Sequence, residues 1–151
     1  MVDFEHDFKT FPELTNSELD ALLFLSPHFQ ITSDFEAVVV KVHDGDTVTL
    51  KMEERDFEFP LRFLSVDAPE LSTGVPGLDA RAFLSGVVEG REVFVQIDPK
   101  NRVDKYGRLL GDLIVDGFNV ADAMVHLGFA LPFERRREGE IPSFDKMIGV
   151  E

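Results

Sequence analysis

The sequence predicts an α+β domain, mainly β: a five-stranded Greek-key barrel with two to three helices and an N-terminal helical extension. Three observations predict it. Three strand-like runs lie between Glu36 and Val66, followed by a helical run, two further strand-like runs and a short helix. Tight-turn signals join neighbouring strands, at Asp44-Gly45 and Asp116-Gly117, where glycine tolerates the positive φ of a two-residue hairpin. A chain of 151 residues with 44% hydrophobic content is most simply one domain with a real core.

The elements follow in order. Residues 1–35 are expected to form an extension and residues 36–151 the barrel domain. Phe4, Phe8 and Phe11 recur at helical spacing before Pro12. Thr15 with Glu18 three residues on is a capping-box pattern. Leu19, Leu22, Leu23 and Leu25 follow, and Ser26-Pro27 is a stop, which predicts a short helix near residues 16–25. This helix is expected to pack on its own domain. The alternative is a docking segment for a protein partner through residues 1–30, anchored by the three phenylalanines. Residues 28–35 read as a linker.

Glu36–Val42 and Thr47–Met52 are β-branched and alternating, so they read as a hairpin. In the third run Phe57, Phe59, Leu61 and Phe63 share one face, and Glu58, Arg62, Leu64 and Val66 the other. Pro60 marks an edge or a bulge there. After a Gly/Pro loop at 71–77, Leu78–Val88 reads as a helix with Leu78, Ala82, Phe83 and Val87 on its buried face, ended by Gly90. Arg91–Ile97 and Arg108–Val115 are the fourth and fifth strands. Asn119 is the cap of a helix carrying Val120, Ala123, Met124 and Leu127, closed by Gly128. Ser143–Glu151 reads as the start of another helix. Three strands, a helix, two strands and a helix is the order of an OB-type barrel.

Composition narrows the function. With no cysteine there is neither a disulfide framework nor a thiolate metal site. No apolar run approaches the ~18 residues of a membrane span, so no membrane partner is expected. The acidic start has no apolar h-region, and a chain that begins here is expected in the cytoplasm. The net charge is −14, which opposes polyanions at long range. Salt screens that field beyond about 8–10 Å, so a local basic cleft is the expectation, gathered from Arg62, Arg81, Lys100, Arg102, Lys105 and Arg108.

The polar residues at strand ends carry the chemistry. Asp46 and Asp67 are hard oxygen ligands suited to Ca²⁺ or Mg²⁺. Two ligands from the chain leave an open site where an ion can touch a substrate oxygen. Glu70 stands near enough to hold a water. Arg62 is a guanidinium that can fork onto a phosphate, and Arg108 offers a second fork. A metal, a carboxylate beside a water and two arginines are the parts of phosphodiester hydrolysis. Singly, each residue has an ordinary structural reading: turn aspartates, a surface ion pair, a solvated loop. The combination in order points to a site.

Asp44-Gly45-Asp46-Thr47, then Arg62 through Asp67 to Pro69-Glu70, then Asp104-Lys105-Tyr106-Gly107-Arg108 resemble the motifs of the staphylococcal nuclease (thermonuclease) family, over roughly residues 37–133. The resemblance implies a Ca²⁺-dependent endonuclease on an OB barrel that cleaves DNA, RNA or both, leaving 3′-phosphates, with Mg²⁺ or another divalent ion as alternatives. It implies Asp46, Asp67 and the Ala68 backbone carbonyl as calcium ligands, Ala68 standing where the family has Thr. It implies Glu70 as general base, Arg62 and Arg108 as phosphate-binding arginines, and Lys105 and Tyr106 beside the nucleotide's terminal phosphate.

Three departures accompany it. The family's nucleotide-holding tyrosines after the second helix are absent, which leaves Phe129 or Phe133 to stack on a base. The long C-terminal helix is reduced to a stub, and the Leu-rich helix near 16–25 is the expected cover for its surface. The body is acidic where the type member is basic. The rival reading is a non-catalytic OB module that binds single-stranded nucleic acid or a protein partner.

Overall fold

The structure, a computed structural model, describes residues 6–133. Phe4 and the stretch Ser143–Glu151 lie outside the described residues. The chain runs α1 (Asn16–Leu22), β1 (Phe35–Asp44), β2 (Thr47–Lys51), β3 (Phe59–Phe63), β4 (Val66–Asp67), α2 (Val75–Val88), β5 (Glu92–Gln96), β6 (Leu109–Val115), β7 (Phe118–Asn119), α3 (Val120–His126) and β8 (Leu131–Pro132). Single 3₁₀ turns occupy Leu23–Leu25 and Leu71–Thr73.

Five strands close on themselves. The order β3-β2-β1-β5-β6 is sealed by parallel pairing of β6 with β3, Leu61 opposite Leu109. The predicted barrel is present, with three helices. Closure leaves no long free edge among these strands. β1 pairs with β2 and β5, and its register with β2 shifts between Val39 and Lys41 and again between Val42 and Asp44, irregularities that bend a strand. Val39, Leu50, Leu61, Phe63, Val95 and Leu113 fill the interior, and Leu84 of α2 and Met124 of α3 join the same core. Pro60 pairs with Thr49 of β2 but precedes the parallel pairing with β6, so its missing N–H breaks no ladder.

Two turns differ in their use of glycine. Asp116 and Gly117 both have positive φ, 50° and 84°, as a two-residue hairpin loop of the primed type requires. Gly45 has no positive φ. A Cβ there would lie 2.5 Å from the Ala68 Cβ and 2.7 Å from the Ala80 Cβ. It is needed for close approach, at the point where the β1–β2 turn, β4 and α2 meet. Gly45→Ala is expected to cost about 1–3 kcal/mol through overpacking, measured by urea unfolding. A loss below about 0.5 kcal/mol would mean that the three segments part freely.

α2 begins three residues before its predicted start, with Pro76 in its first turn, where a proline has no hydrogen bond to lose. Its buried face is Gly77, Ala80, Leu84 and Val88. The expected face is therefore corrected: Leu78 and Ala82 are exposed, and Phe83 and Val87 only flank the core. Apolar residues lie on both stripes of this helix, and packing against β1 selects the one that is buried. Asn119 caps α3 as expected, accepting the Asp122 N–H at 3.1 Å, although Leu127 is exposed.

The N-terminal segment is built onto the barrel. Thr15 donates its N–H to the Glu18 carboxylate at 3.0 Å, starting α1. Glu13 and Arg55 form a fork of 2.7 and 2.6 Å, both residues buried. Arg102 is buried too and donates to the carbonyls of Ile31 (2.6 Å) and Leu14 (2.9 Å). Burial lowers its pKa, and the Glu13 charge opposes that shift. Gln30 and Ile31, expected within a linker, are buried. Phe8 packs against the His6 and His28 rings, and Phe11 against Gly107. Leu23, Phe24 and Leu25 are the apolar side chains of the 3₁₀ turn that stay exposed.

Candidate active site

The site grows from three strand ends. Thr47 of β2 pairs with Arg62 of β3, and the Phe63 N–H donates to the Asp46 carbonyl at 2.8 Å. The turn carboxylate is thereby set beside the arginine. β4 pairs with β8, Asp67 opposite Leu131, which brings Asp67 in from the other side. The Arg62 guanidinium lies between the two acids, donating to Asp46 at 3.3 Å and to Asp67. It also donates to the carbonyls of Phe63 and, at 3.1 Å, Val66. All three charged residues are buried, with exposures of 8% for Asp46, 9% for Arg62 and 6% for Asp67. Asp46 is further held by the Ala68 N–H at 3.1 Å and the Thr47 hydroxyl at 3.1 Å.

Asp44 accepts the Asp46 N–H at 3.0 Å. Burial, and then the neighbouring Asp46 charge, push its carboxyl up to about 6. Glu70 is exposed but its main chain is pinned. The Thr73 N–H (2.9 Å) and hydroxyl (2.6 Å) both donate to its carbonyl. A Cβ on Gly77 would fall 2.1 Å from that carbonyl oxygen, so α2 rests directly on the Glu70 backbone.

The third motif is a loop wound around Asp104. Its carboxylate accepts the N–H groups of Tyr106 and Arg108, each at 2.9 Å, and the Arg108 Nε at 2.7 Å. Lys105 and Arg108 approach the Tyr106 ring, 5.1 and 5.5 Å from its centroid. Tyr106 itself is 64% exposed.

One cleft of about 690 Å³ is lined by Asp46, Arg62, Asp67, Ala68, Glu70, Lys105, Tyr106 and Arg108. Every site residue named from the sequence lines it. The sequence does not point to the supports Thr73 and Gly77, to the second role of Asp44, or to the way Asp104 organises its loop. Asp104 was legible as part of its motif, and Gly77 only as one of several loop residues. Two expectations are corrected. The cleft is not basic: Asp44, Asp46, Asp67, Glu70 and Asp104 face Arg62, Lys105 and Arg108. Arg102 is spent in the interior, and Arg81 and Lys100 are not among the lining residues. Phe129 is also taken, stacked on Phe83 at 4.7 Å. Phe133 lines the cleft, with the Arg62 guanidinium carbon 5.5 Å from its ring centroid.

The profile of the staphylococcal nuclease homologue family matches residues 60–147. The chain belongs to this family. Endonuclease YhcR of Bacillus subtilis (strain 168) is 34% identical over 110 residues, covering 64% of this chain and 9% of that protein. An uncharacterised protein of Bacillus anthracis is 29% identical over 98 residues, covering 62% of this chain and 45% of that protein. The chain thus spans less than half of either relative. Membership in the staphylococcal nuclease homologue family and distant similarity to an endonuclease point to nuclease or nucleic-acid chemistry. Among the described residues no helix is long and apolar enough to cross a membrane.

Among the described residues no three His, Asp or Glu side chains converge as a metal cluster. Asp46 and Asp67 are two converging carboxylates joined through one guanidinium. Hard oxygen donors of this kind fit Ca²⁺ or Mg²⁺ by their chemistry.

Proposed function

We propose that this chain is a divalent-ion-dependent phosphodiesterase that hydrolyses DNA, RNA or both to 3′-phosphate products. The gathering of all three motifs in one cleft carries the reading. Asp46, Asp67 and the Ala68 carbonyl would hold Ca²⁺, or Mg²⁺ in its place. Such an ion, when bound, polarises the phosphoryl oxygen and offsets the acidic lining.

The chain's own residues divide the rest. Glu70 orients a water and takes its proton. The water oxygen bonds to phosphorus as the bond from phosphorus to the 5′ oxygen breaks. The 5′ oxygen leaves as a hydroxyl, protonated from solvent. Arg62 and Arg108 donate to the non-bridging oxygens, where negative charge grows. Lys105 and Tyr106 hold the terminal phosphate. Phe133 offers a ring face near the base, a contact that tolerates any sequence.

The test is cleavage of single-stranded DNA and of RNA in Ca²⁺, in Mg²⁺ and in EDTA, beside Glu70→Gln. Activity is expected to need a divalent ion and to fall about 10²- to 10⁴-fold in the variant. A folded protein that binds an oligonucleotide but cleaves nothing would assign the cleft to a non-catalytic binding module instead.

A further inference from the structure

A second cleft, of about 470 Å³, adjoins the first and shares Tyr106 and Arg108 with it. Its far wall is the N-terminal segment. Phe8, Lys9 and Thr10 of that segment line it together with His28, Phe57, Pro60 and residues 106–108 of the third motif. Phe8, His28 and Phe57 form a row of rings, 5.9 and 4.8 Å between successive centroids. The Glu13 carboxylate in its floor is neutralised by the Arg55 fork, and Glu58 is its other acid. Lys9 and Arg108 are its cations. In contrast to the first cleft, this one has several aromatic rings in its lining, beside two cations and two acids, one of them neutralised by Arg55.

We propose that this second cleft holds the nucleotides that flank the scissile phosphate, so that one strand of nucleic acid passes from the first cleft across Tyr106 and Arg108 into the second. The inference rests on the phosphodiesterase reading for the first cleft. Its volume lies within the range of about 300–1,000 Å³ of small-ligand sites, room for about one or two nucleotides. Aromatic walls take bases without regard to sequence, and cations along the rim track the backbone, the usual means of holding a single strand. The N-terminal segment is then part of the substrate path, and it also braces the loop that both clefts share: the Phe11 ring lies where a Cβ on Gly107 would come within 2.6 Å.

The test compares Lys9→Gln with the wild type on two substrates, a dinucleoside monophosphate and an oligothymidylate of about twelve nucleotides. The ratio of kcat/KM for the long over the short substrate is expected to fall about fivefold near 0.1 M salt, as one phosphate contact is lost. Oligothymidylate binding in EDTA, followed by fluorescence anisotropy, is expected to lose about 0.7 from its salt slope. An unchanged ratio with an unchanged slope overturns the second cleft. If the wild type cleaves neither substrate, the phosphodiesterase reading fails, and the slope measured in EDTA still decides the inference. Lys9 is exposed, so the variant is expected to fold.

Discussion

Arg62→Ala is expected to lower cleavage of single-stranded DNA by about 10²- to 10³-fold, the usual loss for one donor aimed at developing charge. The same change removes the guanidinium bonded to both Asp46 and Asp67. Both buried carboxylates then lose the guanidinium they share, which destabilises the ion-free protein. A divalent ion that binds between them compensates, so Ca²⁺ should raise the melting temperature of the variant more than that of the wild type. On the proposed reading, Arg62 of the wild type would give up carboxylate bonds to serve a phosphate, and a bound cation would compete with it for the same oxygens. Arg62→Lys keeps the charge but loses the fork, and it should recover stability more fully than activity. If Arg62→Ala stays within tenfold of wild-type activity, or if added Ca²⁺ stabilises both proteins equally, Arg62 is a structural residue and the ion lies elsewhere. Calorimetry in EDTA and in Ca²⁺, beside the cleavage assay, separates these outcomes.

Arg55→Ala is expected to lower stability by about 3–5 kcal/mol, because Glu13 stays buried with its charge unpaired. For a domain of this size that corresponds to roughly 10 °C in melting temperature. The guanidinium also donates to the Phe29 carbonyl at 3.0 and 2.8 Å and lies 4.7 Å from the Phe59 ring centroid, so packing is lost along with charge. Replacing the pair together, Glu13→Leu with Arg55→Met, should restore much of the loss, since an apolar pair of similar volume needs no counter-charge. Urea unfolding of the two variants decides it. A loss below 1 kcal/mol in Arg55→Ala would show that residues 6–14 detach without disturbing the barrel. A large loss makes the N-terminal segment part of the folding unit, as the buried contacts of Arg102 with Leu14 and Ile31 also imply.

Much of the site was legible because its chemistry sits in short motifs. Asp46, Arg62, Asp67, Glu70 and Arg108 could be named from residue type and spacing, since a strand places its end residues in a predictable way. The supporting roles were not legible. Asp104 was visible as part of its motif, but its organising hydrogen bonds to residues two and four positions on were not, since a carboxylate in a polar loop has many ordinary uses. Gly45 was read as a turn residue by its neighbours Asp44 and Asp46. Its reason is the proximity of Ala68 and Ala80, two residues far away in sequence.

By itself, the sequence determined the order of the five barrel strands and three helices and the caps at Thr15 and Asn119, because each depends on local spacing; it did not separate β4 from β3 or find β7 and β8. Only the tertiary structure decided which stripe of α2 is buried, where the cations go and what the N-terminal segment does. Arg102 shows why. On the chain it is one more base beside Lys100 and Lys105, but closure of the barrel under residues 14–31 buries it and gives it three acceptors. The cleft's charge follows from where each side chain ends up after closure. That placement depends on contacts between residues as many as 88 positions apart, which no local pattern encodes.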